Sequence, residues 1–248
     1  MKKMLVITLG LALIASSAIG QQVLSRNAVG YVRVDARSNG YTLATVPFNA
    51  FSNTIAGIFA GQLVGGSSFG TSDNVIKYLP GTGYITFWKT TAGQWRQLGE
   101  GVETTNKLYP GEAFWVVNKR VTNQVIYLMG EVPDSFAGDA TQTLYAVQGY
   151  QFQAYGYPVE IAITNTTLTN GAQRGSSFGT SDNVITFDAA IQDYVTYWLS
   201  TTAGSSWRKL GTGTNTTDKF AVGQGFWYKR YPASSRTWTE VKPYTWPL

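Results

Sequence analysis

An eleven-residue block, GSSFGTSDNVI, fills positions 66–76 and returns unchanged at 175–185. The spacing, 175 minus 66 or 109 residues, is longer than any solenoid period and is the size of a compact domain, so the chain reads as a duplicated whole domain. Similarity continues beyond the block: Tyr84, Thr86 and Trp88 match Tyr194, Thr196 and Trp198, Trp95-Arg96 matches Trp207-Arg208, Phe114-Trp115 matches Phe226-Trp227, and Lys119-Arg120 matches Lys229-Arg230. Upstream, Gly40-Tyr41-Thr42-Leu43 lines up with Gly149-Tyr150-Gln151-Phe152. The expected division is a signal peptide at 1–20, a first β-domain at 21–134, a linker at 135–139 and a second β-domain at 140–248. So short a linker predicts two units packed as a pseudo-symmetric pair.

Alternation and turn chemistry predict strands almost throughout. In the first copy they fall at 31–34, 41–48, 75–79, 84–89, 95–98, 113–117 and 124–128, with the PGTG of 80–83 as a hairpin turn. The second copy has strands at 184–187, 194–200, 207–210, 225–229 and 236–241, and its hairpin turn is one residue longer. The exception is 53–63, where Asn53 is placed to cap a short helix with Ile55, Ile58, Phe59 and Leu63 on one side. The fold class expected is all-β: two tandem, pseudo-symmetric β-sandwich or barrel-like domains with at most one short helix each.

Composition closes off much chemistry. The chain has no His and no Cys, which excludes disulfides, thiolate metal sites and every His-dependent triad. Residues 66–70 and 175–179 satisfy the Gly-x-Ser-x-Gly pattern of a nucleophile elbow, yet no His exists to take the serine proton and no Lys stands at helical spacing. Both segments read as turns. No cofactor is expected. At the N-terminus, Lys2 and Lys3 precede an apolar run that ends in Ser16 and Ser17, and Ala18-Ile19-Gly20 supplies small residues for cleavage. The product is expected to be exported to the periplasm, cell surface or medium, with no membrane span after cleavage. Without Lys2 and Lys3 the basic residues fall from 19 to 17 against 14 acidic ones. They form no dense stripe, so nucleic acid is not an expected partner.

The candidate site residues come in repeat-related pairs. Asp73 and Asp182 occupy identical places and are weak calcium candidates, with an Asx-turn role as the competing assignment. Glu100 and Glu103 form the nearest carboxylate pair, but the second copy has Thr212 and Asn215 there, against a glycosidase pair. Aromatics carry most information. Trp88, Trp95, Trp115 and their mates Trp198, Trp207 and Trp227 serve either as core or as platforms for sugar rings. Alternation sets Tyr84, Thr86 and Trp88 on one face and Ile85 and Phe87 on the other, so one aromatic face lies outside or at the joint. Trp95 and Trp207, followed by Arg96 and Arg208, are the expected exposed pair, with Trp115 and Trp227 as further ligand-binding candidates.

The segments YPGEAFWVV (109–117) and VGQGFW (222–227) resemble the Pro-Gly-x-Gly-Phe/Tyr-Trp-Val element of tandem β-repeat exported proteins from the Verrucomicrobia, Lentisphaerae and Planctomycetes group. NAVGYV (27–32) and GEV (130–132) resemble the flanks of those modules. The resemblance implies export and a β-repeat architecture, and it brings no activity. The chain departs from it in having Ala113 where the second copy keeps Gly225. The function expected is non-enzymatic: a structural or adhesion protein of the cell envelope or extracellular matrix, acting by self-association or by packing on envelope proteins. The alternative is a carbohydrate-binding module with a glycan on exposed Trp platforms.

Overall fold

The computed structural model describes residues 28–134, 138–202 and 206–245; the expected leader and positions 135–137 of the expected linker lie outside them. The first half runs β1 (Val29–Ala36), β2 (Gly40–Thr45), α1 (Ile55–Ile58), β3 (Asn74–Leu79), β4 (Gly83–Lys89), β5 (Trp95–Gln97), β6 (Ala113–Asn118) and β7 (Gln124–Glu131). The second half runs β8 (Thr141–Ala146), β9 (Gly149–Ala154), β10 (Ile161–Ala162), β11 (Asn183–Asp188), β12 (Asp193–Leu199), β13 (Trp207–Lys209), β14 (Lys219–Phe220), β15 (Gly225–Arg230) and β16 (Arg236–Val241).

Each half forms the same two layers. A five-stranded antiparallel sheet, β2-β6-β3-β4-β5 or β9-β15-β11-β12-β13, lies under a two-stranded ribbon of the half's first and last strands, β1-β7 or β8-β16. The halves are all-β sandwiches, and neither closes into a barrel. Alternation explains the ribbon: β7 turns Ile126 and Leu128 inward, while Val125, Tyr127 and Met129 face out. The inward residues meet Phe59, Val75, Phe87, Trp95, Phe114 and Val116 in one core cluster. The second core is built likewise from Leu144, Val184, Leu199, Trp207, Phe226, Tyr228 and Trp238.

Two expectations need correction. The predicted 53–63 helix is one turn, capped by the Thr54 hydroxyl, which accepts from the Gly57 N–H at 3.1 Å. Gly57 and Gly61 weaken its continuation, and Gly61 sits at φ +73°, outside helical space. The counterpart region makes two short 3-10 turns, Ile163–Asn165 and Thr167–Thr169. The pairing of Lys119-Arg120 with Lys229-Arg230 is two residues out of register. Trp115 stands opposite Ile76 and Trp227 opposite Ile185, so Arg230 corresponds to Asn118. The Lys-Arg likeness is a coincidence of composition.

Strand β6 is buried at all six positions because both of its faces are covered. Phe114 and Val116 enter the core; Ala113, Trp115 and Val117 face the other half. There they join Leu43, Phe152, Ala154 and Trp227 in a third cluster, where the two five-stranded sheets meet face to face. Contacts across this joint come in mutual pairs, the mark of two-fold packing. The Tyr78 ring lies 4.9 Å from Trp227 and Phe187 lies 4.7 Å from Trp115, while Tyr84 is 6.2 Å from Trp227 and Tyr194 is 6.4 Å from Trp115.

The Ala113/Gly225 difference follows from the same axis. A Cβ built on Gly225 would stand 2.6 Å from the Ala113 Cβ. Two-fold mates that touch cannot both carry the methyl, so one half keeps glycine.

Candidate functional site

The site grows out of one face of the duplicated sheet. In the first half, register sets Trp115, Ile76 and Thr86 side by side across β6, β3 and β4. In the second half it sets Trp227, Ile185 and Thr196 across β15, β11 and β12. Each row floors a cleft at the joint. One cleft, of about 440 Å³, is lined by Tyr78, Tyr84, Tyr150, Ile185, Tyr194, Thr196 and Trp227. The other, of about 640 Å³, is lined by Asn39, Tyr41, Ile76, Tyr84, Thr86, Trp115, Phe187, Gln192 and Tyr194. The two linings exchange under the pseudo-two-fold, and both contain Tyr84 and Tyr194. The axis therefore passes between these tyrosines, which form a shared wall.

That wall is open to solvent: Tyr84 is 60% and Tyr194 51% exposed, and Tyr41 and Tyr150 are also exposed. Partial burial pushes the Tyr84 and Tyr194 hydroxyls above their ordinary value of 10; Tyr194 adds to the effect on Tyr84, and a bond from Trp227 works against it on Tyr194. Both stay neutral near pH 7. No carboxylate, Lys or Arg lines either cleft. Among the described residues, the side-chain hydroxyls of Tyr41, Tyr84, Tyr150, Thr86 and Thr196 have no hydrogen-bond partner within the protein. Each cleft is thus an uncharged aromatic slot with unengaged hydroxyls.

The longer β11-β12 turn makes the second cleft differ from the first. Gln192, in left-handed backbone at φ 56°, reaches across the joint to the Tyr41 main chain. Its Oε1 accepts from the Tyr41 N–H and its Nε2 donates to the Tyr41 carbonyl, both at 2.8 Å. Arg37 adds bonds to the carbonyls of Ala189 and Ala190.

Of the residues proposed from sequence, Trp115 and Trp227 line the cleft floors but are only 4% and 7% exposed, so they are not open platforms. Trp95 and Trp207 are not the exposed pair expected: they are 1% and 0% exposed. Each lies on a short edge strand whose side chain closes the sandwich core. Trp95 packs against Phe59, and the Trp207 indole N–H donates to Thr169 Oγ1 at 3.1 Å. Arg96 and Arg208 point to the opposite face, across from Trp88 and Trp198, and line neither cleft.

Asp73 and Asp182 are wholly buried, and protein donors occupy their oxygens. Asp73 accepts from the Val64 and Lys119 N–H groups and from Gln124 Nε2. Asp182 accepts from the Gln173 and Tyr231 N–H groups, the Tyr228 hydroxyl and Arg230. These carboxylates tie the repeated turn to the end of β6 or β15, a structural reason for the same Asp in both copies. No group of three or more His, Cys, Asp or Glu able to hold a metal occurs among the described residues. The Gly-x-Ser-x-Gly segments are turns in which Ser68 and Ser177 bond Thr71 and Thr180. Glu100 and Glu103 are exposed and line neither cleft.

Sequence reasoning did not single out Tyr41, Tyr150, Tyr84 or Tyr194 as binding residues. The sequence carried half of their signal, the recurrence of Tyr41 as Tyr150 and of Tyr84 as Tyr194; their exposure shows only in the fold. No family model, curated protein or solved structure matches this chain. No helix among the described residues is long and apolar enough to cross a membrane.

Proposed function

We propose that this chain is an exported, non-enzymatic adhesion protein of the cell envelope or extracellular matrix, acting through non-covalent contacts at the joint between its halves. The observation that carries this reading is the pair of aromatic clefts. Duplicated core residues persist because each half must fold, but Tyr84 and Tyr194 are more than half exposed and contribute little burial. Their retention in both halves favours a surface role. The uncharged lining supports binding without catalysis, because no general acid or base is at hand. The leader read at 1–20 and the resemblance to exported β-repeat proteins support export.

The test is to add labelled mature protein back to its source cells. Retention at the surface or in the matrix after washing is expected. Complete recovery in the medium would overturn the reading.

A second reading, self-association, is favoured by the outer face of the β1-β7 ribbon. Val29, Tyr31, Val125, Tyr127 and Met129 are all exposed there, with the Tyr31 and Tyr127 rings 5.8 Å apart. It predicts assembly that grows with concentration in light scattering and that Tyr31→Ser with Met129→Ser abolishes. A strictly monomeric protein at high concentration excludes it.

A further inference from the structure

The chemistry of the clefts narrows the ligand, given that they are the adhesive surface. A purely apolar ligand would strand the hydroxyls of Tyr41, Tyr84, Tyr150, Thr86 and Thr196 without partners. A charged ligand would find no counter-charge in either lining, and the Lys229 ammonium beside the smaller cleft is set over the Tyr150 ring at 5.6 Å. Volumes of about 440 and 640 Å³ suit a small ring system, whereas a protein interface of standard size needs a broad patch of about 800 Å² on each partner. A pyranose meets all three conditions. Its axial C–H face stacks on an aromatic ring, its edge hydroxyls pair with tyrosine and threonine hydroxyls, and it carries no charge.

The second part of the inference comes from the symmetry. The two linings are mates across the axis between Tyr84 and Tyr194, so what fits one cleft fits the other. We infer that the chain is a bivalent binder of neutral glycans, taking one sugar ring in each cleft. Tyr84 and Tyr194 serve both sites, Tyr41 serves only the larger cleft, and Tyr150 serves only the smaller. Two like sites on one chain would let it cross-link two glycan strands, or hold a single polymer or matrix at two points with a higher avidity than one cleft provides.

Isothermal titration tests this with neutral oligosaccharides of the cello, chito, manno and xylo series, from disaccharide upward. Two disaccharides bound per chain are expected for at least one series. Tyr41→Ala and Tyr150→Ala should each reduce the number bound from two to one while the remaining site keeps its affinity. Tyr84→Ala should weaken both sites by roughly tenfold, the upper range for losing one aromatic contact. Near-ultraviolet circular dichroism identical to wild type checks that each variant is folded. Binding of a single disaccharide per chain, a Tyr84→Ala effect confined to one site, or no binding by any series overturns the inference. The adhesion reading is scored separately on source cells. If no series binds but wild type is retained and Tyr84→Ala is not, the clefts remain the adhesive surface and only the glycan assignment falls. If Tyr84→Ala is retained like wild type, adhesion at the clefts falls too.

Discussion

At the scale of single residues, the duplication shows where symmetry had to be broken. Gly225 and Ala113 are mates, and a methyl on Gly225 would also meet the Ala44 carbonyl oxygen at 3.0 Å. Gly225→Ala should cost about 1 to 3 kcal/mol, the usual price of overpacking. Adding Ala113→Gly should recover part of it, because the joint then carries one methyl again on the other side. Urea unfolding of the single and double variants checks both expectations. Buried charge also differs between the halves. Glu240, deep in the second core, accepts two bonds from the Thr167 N–H at 2.9 and 3.1 Å, where the first ribbon has Leu128. Burial pushes its carboxyl above the ordinary glutamate value of 4.5; its bonds from Thr167 and the charge of Arg236 oppose the shift. The folded state thus binds the proton more tightly than the unfolded chain. Its contribution to stability is full below the unfolded value and is lost as pH rises through the raised folded value. Glu240→Gln should remove that fall, so its stability relative to wild type should increase as pH rises above 4.5. Unfolding free energies that keep a constant difference across this range would refute the assignment.

At the scale of elements, most of the strands were legible because period-2 alternation and turn residues mark them directly. The PGTG turn, the Trp95 and Trp207 edge strands and the ribbon strands β1, β7 and β16 lie where the pattern puts them, whereas β8 and β9 were not read as strands from the pattern. What alternation could not show was which face meets what. Trp95 looked exposed because a short strand followed by Arg carries no sign of its depth, and depth is set by the ribbon folding back over the sheet. Helix α1 shrank to one turn because glycines at 57 and 61 outweigh an apolar stripe that would otherwise propagate it. The clefts were half legible: the Tyr84-Thr86-Trp88 face had to lie outside or at the joint, but their shape depends on two sheets meeting. The longer β11-β12 turn shows how an insertion can be used. Gln192→Ala should remove both bonds to Tyr41 and lower stability by about 0.5 to 1.5 kcal/mol, since solvent can replace them in part. Hydrogen exchange of the Tyr41 amide should speed up in the same variant, and unchanged exchange would show that the clamp is not closed in solution.

At the scale of the whole molecule, two sandwiches with separate cores share a third cluster, and the sheet faces that build it extend into the clefts. The same aromatic row therefore does two things. Leu43, Trp115, Phe152 and Trp227 hold the halves together, while Tyr41, Tyr84, Tyr150 and Tyr194 at its margin stay open to solvent. On the proposed function, this margin is kept for binding and not for folding. The decisive measurement is retention of the Tyr84→Ala/Tyr194→Ala double variant on source cells, at a temperature where circular dichroism shows it folded. A folded protein that no longer stays on the cells is expected; a folded double variant retained as strongly as wild type would mean that these tyrosines are not the binding surface.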